Sequence, residues 1–240
     1  MILTAHQPVY LPWLGLFHKI ALSDAFCYFD DVQYLKKDWN NRNKIRTKTG
    51  GIWLTIPVLT KGYREKKIRE IEINNFIDWR KKHWKSIYLT YKNAYFFNKY
   101  SDFFEDVYKK EWKYLTDINE YMLKWFLKEL NIDVKYYKAS ELNFGGHKSE
   151  LVVNMCKKLN AKLYIFGKLG KDYANEGDFN QEGIKIYFQD YKHPTYPQLF
   201  DDFLPYMSII DLLFNVGDSS LEVLMDGNIT KEDLKNKFGL

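Results

Sequence analysis

His6 is the side chain in this sequence best suited to acid–base chemistry, because imidazole changes its protonation state near neutral pH. It directly follows the apolar run Ile2 to Ala5, which predicts a short strand that ends before Pro8 and Pro12. A histidine at the end of a strand would face a crevice, so we interpret His6 as a candidate general base. The alternative is a histidine that only hydrogen-bonds its own loop.

Asp30 and Asp31 are the candidate catalytic carboxylates, since they follow the next apolar run, Ala25 to Phe29. Successive side chains of an extended chain point to opposite sides, so one of the two is expected to share a crevice with His6. That carboxylate could orient the imidazole or hold a magnesium ion beside a phosphate, and the other would form a turn. The sequence leaves the assignment between them open.

Arg42 and Lys44 flank Asn43, and in an extended segment their side chains would lie on one face. Together they could bind a diphosphate, the guanidinium through two parallel hydrogen bonds. A solvated charged face is the alternative, because Lys and Arg are common on protein surfaces.

Other polar and aromatic residues lie in the predicted strand ends and loops, where amide side chains suit the recognition of hydroxyl or amide groups. We expect contacts with a substrate from Gln7, Tyr10, Trp13, Gln33, Asn41, Gln189, His193 and Gln198. Asp211 and Asn215 are four residues apart in an apolar helical pattern, so they share one side of that helix. Because buried polar groups need partners, we expect these two to support the site loops from behind.

The elements that would position these residues begin with a strand, a helix and a second strand in residues 1 to 31, which predicts a parallel sheet. The apolar runs Lys162 to Phe166 and Ile184 to Phe188 predict further strands. We also predict a hairpin of two strands, Ile52 to Val58 and Ile68 to Ile73. In proteins with open parallel sheets, ligands bind outside the carboxyl ends of the strands. The polar candidate residues cluster at these predicted strand ends.

Residues 77 to 130 have a different pattern, because their apolar side chains recur at intervals of three and four. We interpret this segment as a helical insertion or lid within one domain of residues 1 to 240. Ser149 is expected to cap a later helix, and Met207 to Phe214 predict another that Gly217 closes. The predicted fold is α/β, with a parallel-rich sheet, flanking helices and the helical insertion.

Composition separates few classes of function. The 36 basic and 31 acidic residues give a net charge of +5. Because the basic residues are interleaved with acidic ones, the charge supports nucleic-acid binding only weakly. The small positive excess would help to attract an anionic ligand. Tyr, Phe and Trp make up 18% of the chain and could serve as stacking faces or as core. The two cysteines predict buried free thiols, and with no signal or membrane-spanning stretch we expect a cytoplasmic protein.

Several mechanisms lack their motif in this chain. It has no GxxxxGK[ST] loop, no GxGxxG after a strand, no GxSxG elbow, and no HExxH or CxxC ligand set. Covalent serine or cysteine catalysis and a structural zinc are therefore not expected. The sequence does not indicate a cofactor.

Two groups of residues resemble the opening and closing signatures of the WbqC-like family. The opening group is His6-Gln7-Pro8-Val9-Tyr10-Leu11-Pro12-Trp13-Leu14-Gly15 with Lys19-Ile20, Asp30-Asp31-Val32-Gln33-Tyr34 and Trp39-Asn40-Asn41-Arg42-Asn43-Lys44-Ile45. The closing group is His193-Pro194, Tyr196-Pro197-Gln198 and Ser208-Ile209-Ile210-Asp211-Leu212-Leu213-Phe214-Asn215 with Gly217. The resemblance implies a role in bacterial surface polysaccharide or O-antigen biosynthesis, and it implies no particular reaction.

These observations lead to three hypotheses. The first is a transferase that modifies a nucleotide-linked amino sugar by acyl or aminoacyl transfer, with His6 as base, Asp30 or Asp31 orienting it, and Arg42 and Lys44 holding the diphosphate. The second is a non-catalytic protein of the same pathway that binds a sugar nucleotide or assembles a complex. The third is an aminoacyl-tRNA-dependent transferase, for which the aromatic and basic residues would serve RNA. We expect the ligand to be a sugar nucleotide or another small phosphorylated molecule, and the sequence does not indicate the donor.

Overall fold

A five-stranded, fully parallel sheet forms the centre of the computed structural model, which describes residues 1–240. Its strands are β1 (Ile2–His6), β2 (Ala25–Tyr28), β5 (Lys135–Lys138), β6 (Leu163–Phe166) and β7 (Lys185–Phe188). They lie in the order β5-β2-β1-β6-β7. The chain therefore builds the sheet outward from β1 to one edge and then continues on the other side of β1. This reversal makes the β1–β6 junction the topological switch point, where open α/β sheets bind ligands.

A separate antiparallel hairpin is formed by β3 (Arg42–Thr47) and β4 (Gly50–Thr55). Gly50, with φ of 123°, ends its tight turn in a conformation that disfavours other residues. The predicted hairpin of Ile52–Val58 with Ile68–Ile73 is therefore wrong, although one bridge, Val58 to Ile73, joins the two segments. The partner strand β3 escaped prediction because Ile45 is its one aliphatic side chain.

Helices pack on both faces of the parallel sheet. They are α1 (Leu14–Ala21), α2 (Trp79–Tyr91), α3 (Phe97–Lys109), α4 (Leu115–Glu129), α5 (Ala139–Leu142), α6 (Ser149–Lys158), α7 (Glu176–Gln181), α8 (Ile209–Val216), α9 (Ser220–Met225) and α10 (Lys231–Phe238). One face of the sheet packs on α6 and α7 through a core that includes Cys27, Cys156 and Phe179. The α/β prediction is confirmed, and both cysteines are buried and free, as expected.

The other face of the sheet shares the largest hydrophobic core with α1 and with the helical segment. The side chains of Phe26 and Tyr28 in β2 belong to the same buried cluster as Phe17 of α1 and Phe126 of α4. The predicted helices between residues 77 and 130 are confirmed as α2, α3 and α4. They pack directly into this core.

The prediction that Ser149 caps α6 is wrong. Ser149 is the first residue of the helix, and its hydroxyl accepts a hydrogen bond from the backbone amide of Asn175 at 3.1 Å. None of the helices has both the length and the apolar character needed to cross a membrane.

Candidate functional site

The sheet opens between β1 and β6 one residue before His6. Ladder pairing of the two strands ends at Thr4 and Ile165, where the Thr4 hydroxyl donates to the Ile165 carbonyl at 2.9 Å. The next carbonyl, that of Ala5, accepts a hydrogen bond from Nζ of Lys19 at 3.0 Å. Side chains thus satisfy the backbone where the strands separate, and His6 is the first residue beyond that point.

His6 is held as a neutral imidazole with one nitrogen free. Its Nδ1 lies 2.8 Å from the carbonyl oxygen of Gln7, so Nδ1 carries the proton and Nε2 keeps its lone pair. Burial and, to a smaller extent, the charge of Lys19 lower the pKa of His6, the hydrogen bond to Gln7 opposes them, and the resulting pKa is about 3. The side chain is nevertheless only partly buried, so Nε2 can meet a ligand without first losing a proton.

Lys19 is the functional candidate that the sequence analysis missed. Its side chain is almost fully buried in α1, at 4% exposure, and Ala5 supplies its only hydrogen-bond acceptor. No carboxylate pairs with it, and burial lowers its pKa to about 7. A lysine inside the apolar run Leu14-Gly15-Leu16-Phe17-His18-Lys19-Ile20-Ala21 was the available signal.

A row of tryptophans leads from His6 to the hairpin. The His6 ring meets the edge of Trp13 at 5.3 Å between centroids, Trp13 lies 5.8 Å from Trp39, and Trp39 lies 5.4 Å from Trp53 in β4. Trp39 and Trp53 are exposed, at 38% and 43%. Most aromatic side chains of the chain serve the core, and these two are exceptions.

Arg42 and Lys44 end this row, because both lie over the ring of Trp53. The Arg42 guanidinium carbon is 4.6 Å and Lys44 Nζ is 5.0 Å from the ring centroid. Their predicted common face is confirmed, since both belong to β3 and are two residues apart. The quadrupole of the indole holds two cations close together at the outer end of the row.

The hairpin, the loop after β1 and the start of α8 are joined by backbone hydrogen bonds. The Ser208 amide donates to the Lys44 carbonyl at 3.0 Å, and the Ile209 amide donates to the Pro12 carbonyl at 2.7 Å. The Asn43 side chain adds a bond to the Leu11 carbonyl. These bonds fix the position of the two cations relative to His6.

Gln7 and Asn40 tie the loop that follows β1. Nδ2 of Asn40 donates to the Pro8 carbonyl at 2.8 Å and lies 3.5 Å from Oε1 of Gln7. Among the residues that the sequence analysis selected, the structure thus places His6, Gln7 and Trp13 next to one another, and the tryptophan row links them to Arg42 and Lys44.

Asp30 and Asp31 are not bonded to His6. Asp30 is buried and accepts from the backbone amide and the hydroxyl of Ser140 at 2.9 and 2.7 Å. Asp31 accepts from Lys67 at 2.6 Å and from Arg69 at 2.8 Å. The two carboxylates do point to different partners, as expected, but the group that orients His6 is the Gln7 carbonyl.

Three further candidates use their polar atoms inside the fold. The hydroxyl of the fully buried Tyr10 is bonded to Tyr108 and to Nδ1 of His83. The Asn41 amide donates to the Ile56 carbonyl at 2.8 Å, and the exposed Gln33 donates to the Arg64 carbonyl at 2.7 Å. None of these bonds leads toward His6.

The candidates after β7 hold the C-terminal loop in place. Gln189 donates to the Gly15 carbonyl at 2.9 Å and contacts Nδ1 of His18 at 2.7 Å. His193 bonds to the Pro194 carbonyl through Nδ1, at 2.8 Å, and accepts from the Tyr206 amide through Nε2, at 3.2 Å. Both of its nitrogens are occupied, in contrast to those of His6.

Asp211 is the centre of a buried hydrogen-bond network. Its two carboxylate oxygens accept from the hydroxyls of Tyr91 and Tyr196, each at 2.9 Å, and from the amide of Gln198 at 2.7 Å. Burial raises its pKa, and the three donors oppose the rise. The Arg46 amide of β3 donates in turn to the Tyr91 hydroxyl at 3.1 Å, so the network reaches the hairpin. Asn215 donates to the Asp211 carbonyl at 2.7 Å.

Two clefts open beside Asp30 and Asp31. The first, of about 260 Å³, is lined by Asp31 and Lys67, and the second, of about 570 Å³, by Asp30, Arg69 and Lys138. Asp31, Lys67, Arg69 and Lys138 already have charged partners, the last of them Glu120 at 2.9 Å. A ligand would have to compete with these pairs, whereas Lys19 and Nε2 of His6 have unused capacity. We therefore place the candidate site at His6.

The fold is that of a doubly wound α/β protein, and the candidate site lies at the topological switch point of its sheet. The chain belongs to the WbqC-like protein family, whose model matches residues 7–223. It is similar to a protein of Mycobacterium tuberculosis described as uncharacterized protein Rv1507c, with 36% identity over 220 residues that cover 91% of this chain and 95% of that protein. No solved structure matches the chain.

Proposed function

We propose that this protein is a transferase of bacterial surface polysaccharide biosynthesis. It would acylate or aminoacylate the amine of a nucleotide-linked amino sugar, with His6 as the general base. The observation that carries the proposal is the pairing of a free Nε2 on His6 with the uncompensated Lys19 at the β1–β6 junction. A proton acceptor and an anion-binding group thus lie together where α/β sheets bind ligands. Membership of the family supports the choice of pathway.

In this reaction the amine of the sugar attacks the carbonyl carbon of the donor. The new carbon–nitrogen bond forms, the amine proton passes to Nε2 of His6, and the bond between the acyl group and its carrier breaks. His6 then returns the proton to the leaving group. The free lone pair at Nε2 allows the first proton transfer, and the bond from Nδ1 to Gln7 keeps the ring in that tautomer.

The basicity of His6 depends on what lies beside Lys19. With a pKa of about 3, the imidazole alone is a weak base. An anionic ligand beside Lys19 would offset the positive charge that disfavours the imidazolium and would raise the pKa of His6, although burial, the larger cause of the low pKa, would remain. Binding of the correct anionic substrate would therefore activate the base.

The tryptophan row and the hairpin would bind the nucleotide part of the substrate. Arg42 and Lys44 supply the charge for a diphosphate, and Trp13 and Trp39 supply apolar surface between the diphosphate and His6. Held in this way, the sugar amine would be positioned at His6 instead of meeting it by diffusion.

Aminoacyl-tRNA is a second candidate ligand, as the donor. Exposed aromatic rings beside cations can stack the unpaired bases of a single strand, and Trp39 and Trp53 have that arrangement.

In thermal-shift measurements we expect nucleotide amino sugars to raise the melting temperature, whereas tRNA binds weakly and with steep salt dependence. Tight, salt-tolerant binding selective for tRNA would instead support the tRNA-dependent reaction.

Replacement of His6 with Gln tests the catalytic role. Gln keeps a hydrogen-bonding group but cannot accept a proton near neutral pH, so we expect turnover to fall about 10² to 10⁴-fold with nearly unchanged affinity. The measurement is single-turnover acylation of a nucleotide amino sugar, with acyl thioesters and aminoacyl-tRNA as donors.

His193→Gln is the matched control, because both nitrogens of His193 are bonded within the protein. It should lower stability by about 1 kcal/mol and leave turnover largely intact. Unchanged turnover in His6→Gln would exclude His6 as the base. A wild-type protein that binds nucleotide amino sugars and transfers nothing to them would instead be a binding protein of the pathway.

A further inference from the structure

The positive charge of the chain is concentrated in one segment, contrary to the interleaving expected from composition. Residues 74 to 101 contain six basic side chains and one acidic side chain, Asp78. Their excess of five equals the net charge of the whole chain, so basic and acidic residues balance elsewhere. This segment contains α2 and the loops at its two ends.

Four lysines of this segment lie on the solvent side of α2 and of the cap residue that follows it. Lys81, Lys82, Lys85 and Lys92 are all exposed, and none of them forms a salt bridge. At 3.6 residues per turn they occupy about a third of the helix circumference. The opposite side of α2 is buried through Trp79, His83, Ile87 and Tyr91. The lysines therefore form one unpaired cationic face.

Exposed apolar side chains lie on α2 and just beyond its two ends. Phe76, just before α2, is 98% exposed, and Tyr95, just after it, is 88% exposed. Leu89, at 56% exposure, lies on the lysine face between them. Phe76 and Tyr95 have the highest exposure among the large hydrophobic side chains, and water solvates both poorly. We call residues 76 to 95 the α2 surface.

We propose that the α2 surface docks the protein on an anionic phospholipid bilayer. The lysines would lie against the lipid headgroups, and Phe76, Leu89 and Tyr95 would enter the interface by roughly 5–10 Å. Charge complementarity is the argument for this partner, because four lysines without acidic partners match a surface of diffuse negative charge.

The side-chain chemistry favours lipid over RNA. Arg80, the one arginine of this segment, donates to the Lys110 carbonyl at 2.7 Å and pairs with Glu111, so it is not free to bind a phosphate with two hydrogen bonds. Phe76 and Tyr95 have rings on which a base could stack, but Leu89, the apolar side chain on the lysine face itself, offers no flat face for one. Point charges surrounded by aliphatic and aromatic anchors are typical of interfacial helices. The proposal is independent of the reaction assigned to His6.

Vesicle co-sedimentation of the full-length protein tests the proposal. We expect binding to phosphatidylcholine vesicles with about 30% phosphatidylglycerol and little binding to pure phosphatidylcholine. Each lysine near an anionic surface contributes about fivefold to affinity, so Lys81→Gln/Lys85→Gln should bind about 25-fold more weakly. Phe76→Ser should weaken binding about tenfold by removing an apolar anchor.

Lys135→Gln/Lys162→Gln is the charge-matched control. Both lysines are exposed and lie at the amino ends of β5 and β6, so this variant should bind vesicles like the wild type. Equal losses in the two double variants would show unspecific attraction and contradict the proposal. So would failure of the wild type to bind anionic vesicles, or tighter binding of single-stranded RNA that depends on the lysines but not on Phe76.

Discussion

Lys19 and Asp211 are two ionisable side chains buried in one protein, and their surroundings differ. Asp211 is fully buried, and three donors, from Tyr91, Tyr196 and Gln198, satisfy its oxygens. Lys19 is nearly as buried, and a single backbone carbonyl accepts from it. A buried charge with a full set of partners holds a structure together, whereas one without them lowers stability and is retained where a ligand can supply what is missing.

Removal of the Asp211 carboxylate should have the largest effect on stability. Asp211→Ala leaves two tyrosine hydroxyls and an amide without their acceptor, so we expect unfolding free energy to fall by about 4 kcal/mol. Asp218→Ala is the control, because Asp218 is exposed and its pair with Lys99 is screened by solvent, so its loss should change stability little. Urea denaturation measures both, and equal effects would mean that the Asp211 network is not a stabilising centre.

Replacement of Lys19 should have the opposite sign. Lys19→Met keeps the length of the side chain without the buried charge, so we expect stability to rise by about 3 kcal/mol at pH 6. Nucleotide amino sugars should lose affinity at the same time. Lys162→Met, on the surface, should change stability by less than about 0.5 kcal/mol.

The gain from Lys19→Met should depend on pH in a defined direction. The pKa of Lys19 is about 7 in the folded protein and 10.5 in the unfolded chain, so the cost of the buried charge is complete below pH 7. As pH rises toward 10.5 the unfolded chain also loses its proton and the cost disappears. The difference between variant and wild type should fall to about 1 kcal/mol at pH 9.5. A destabilised Lys19→Met would mean that the bond to Ala5 is structural, and the contrast with Asp211 would fail.

The smallest expected effect lies at the outer end of the site. Trp53→Leu removes the ring beneath Arg42 and Lys44 and should cost stability about 1 kcal/mol. If these cations bind the diphosphate, affinity for nucleotide amino sugars should fall about tenfold, as measured by calorimetry. Ile52→Ala is the control, since Ile52 precedes Trp53 in β4 and its side chain points to the opposite face of the hairpin. An equal loss in Ile52→Ala would mean that the hairpin, and not the ring, supports binding.

Local patterns in the sequence predicted the first strand–helix–strand unit and the strand-end position of His6. Both depend on neighbouring residues, because apolar runs and prolines mark the ends of elements directly. The hairpin and β5 could not be found in this way. β3 is rich in charge, and β5 is an edge strand, Lys-Tyr-Tyr-Lys, with partly exposed side chains. Their identity as strands comes from partners far along the chain.

Side-chain partners were the part of the site beyond sequence reasoning. Asp30 meets Ser140 across 110 residues, and Asp31 meets Lys67 and Arg69, so neither was available to His6. A lysine near the end of a helix is usually exposed, and Lys19 is buried because other elements cover α1 on all sides. The sequence did indicate that Asp211 has hydrogen-bond partners inside the protein, because a carboxylate in an apolar helix needs donors.

The bonds from Ser208 to Lys44 and from Ile209 to Pro12 set the order in which this protein can mature on the ribosome. His6, Lys19, the tryptophan row and both cations are translated within the first 53 residues, but the segment that fixes them to one another is made about 150 residues later. Contacts of such long sequence separation form late in folding. A nascent chain therefore carries all of these residues well before it can form the bonds that hold them in place, and synthesis must run almost to its end before the candidate site is assembled.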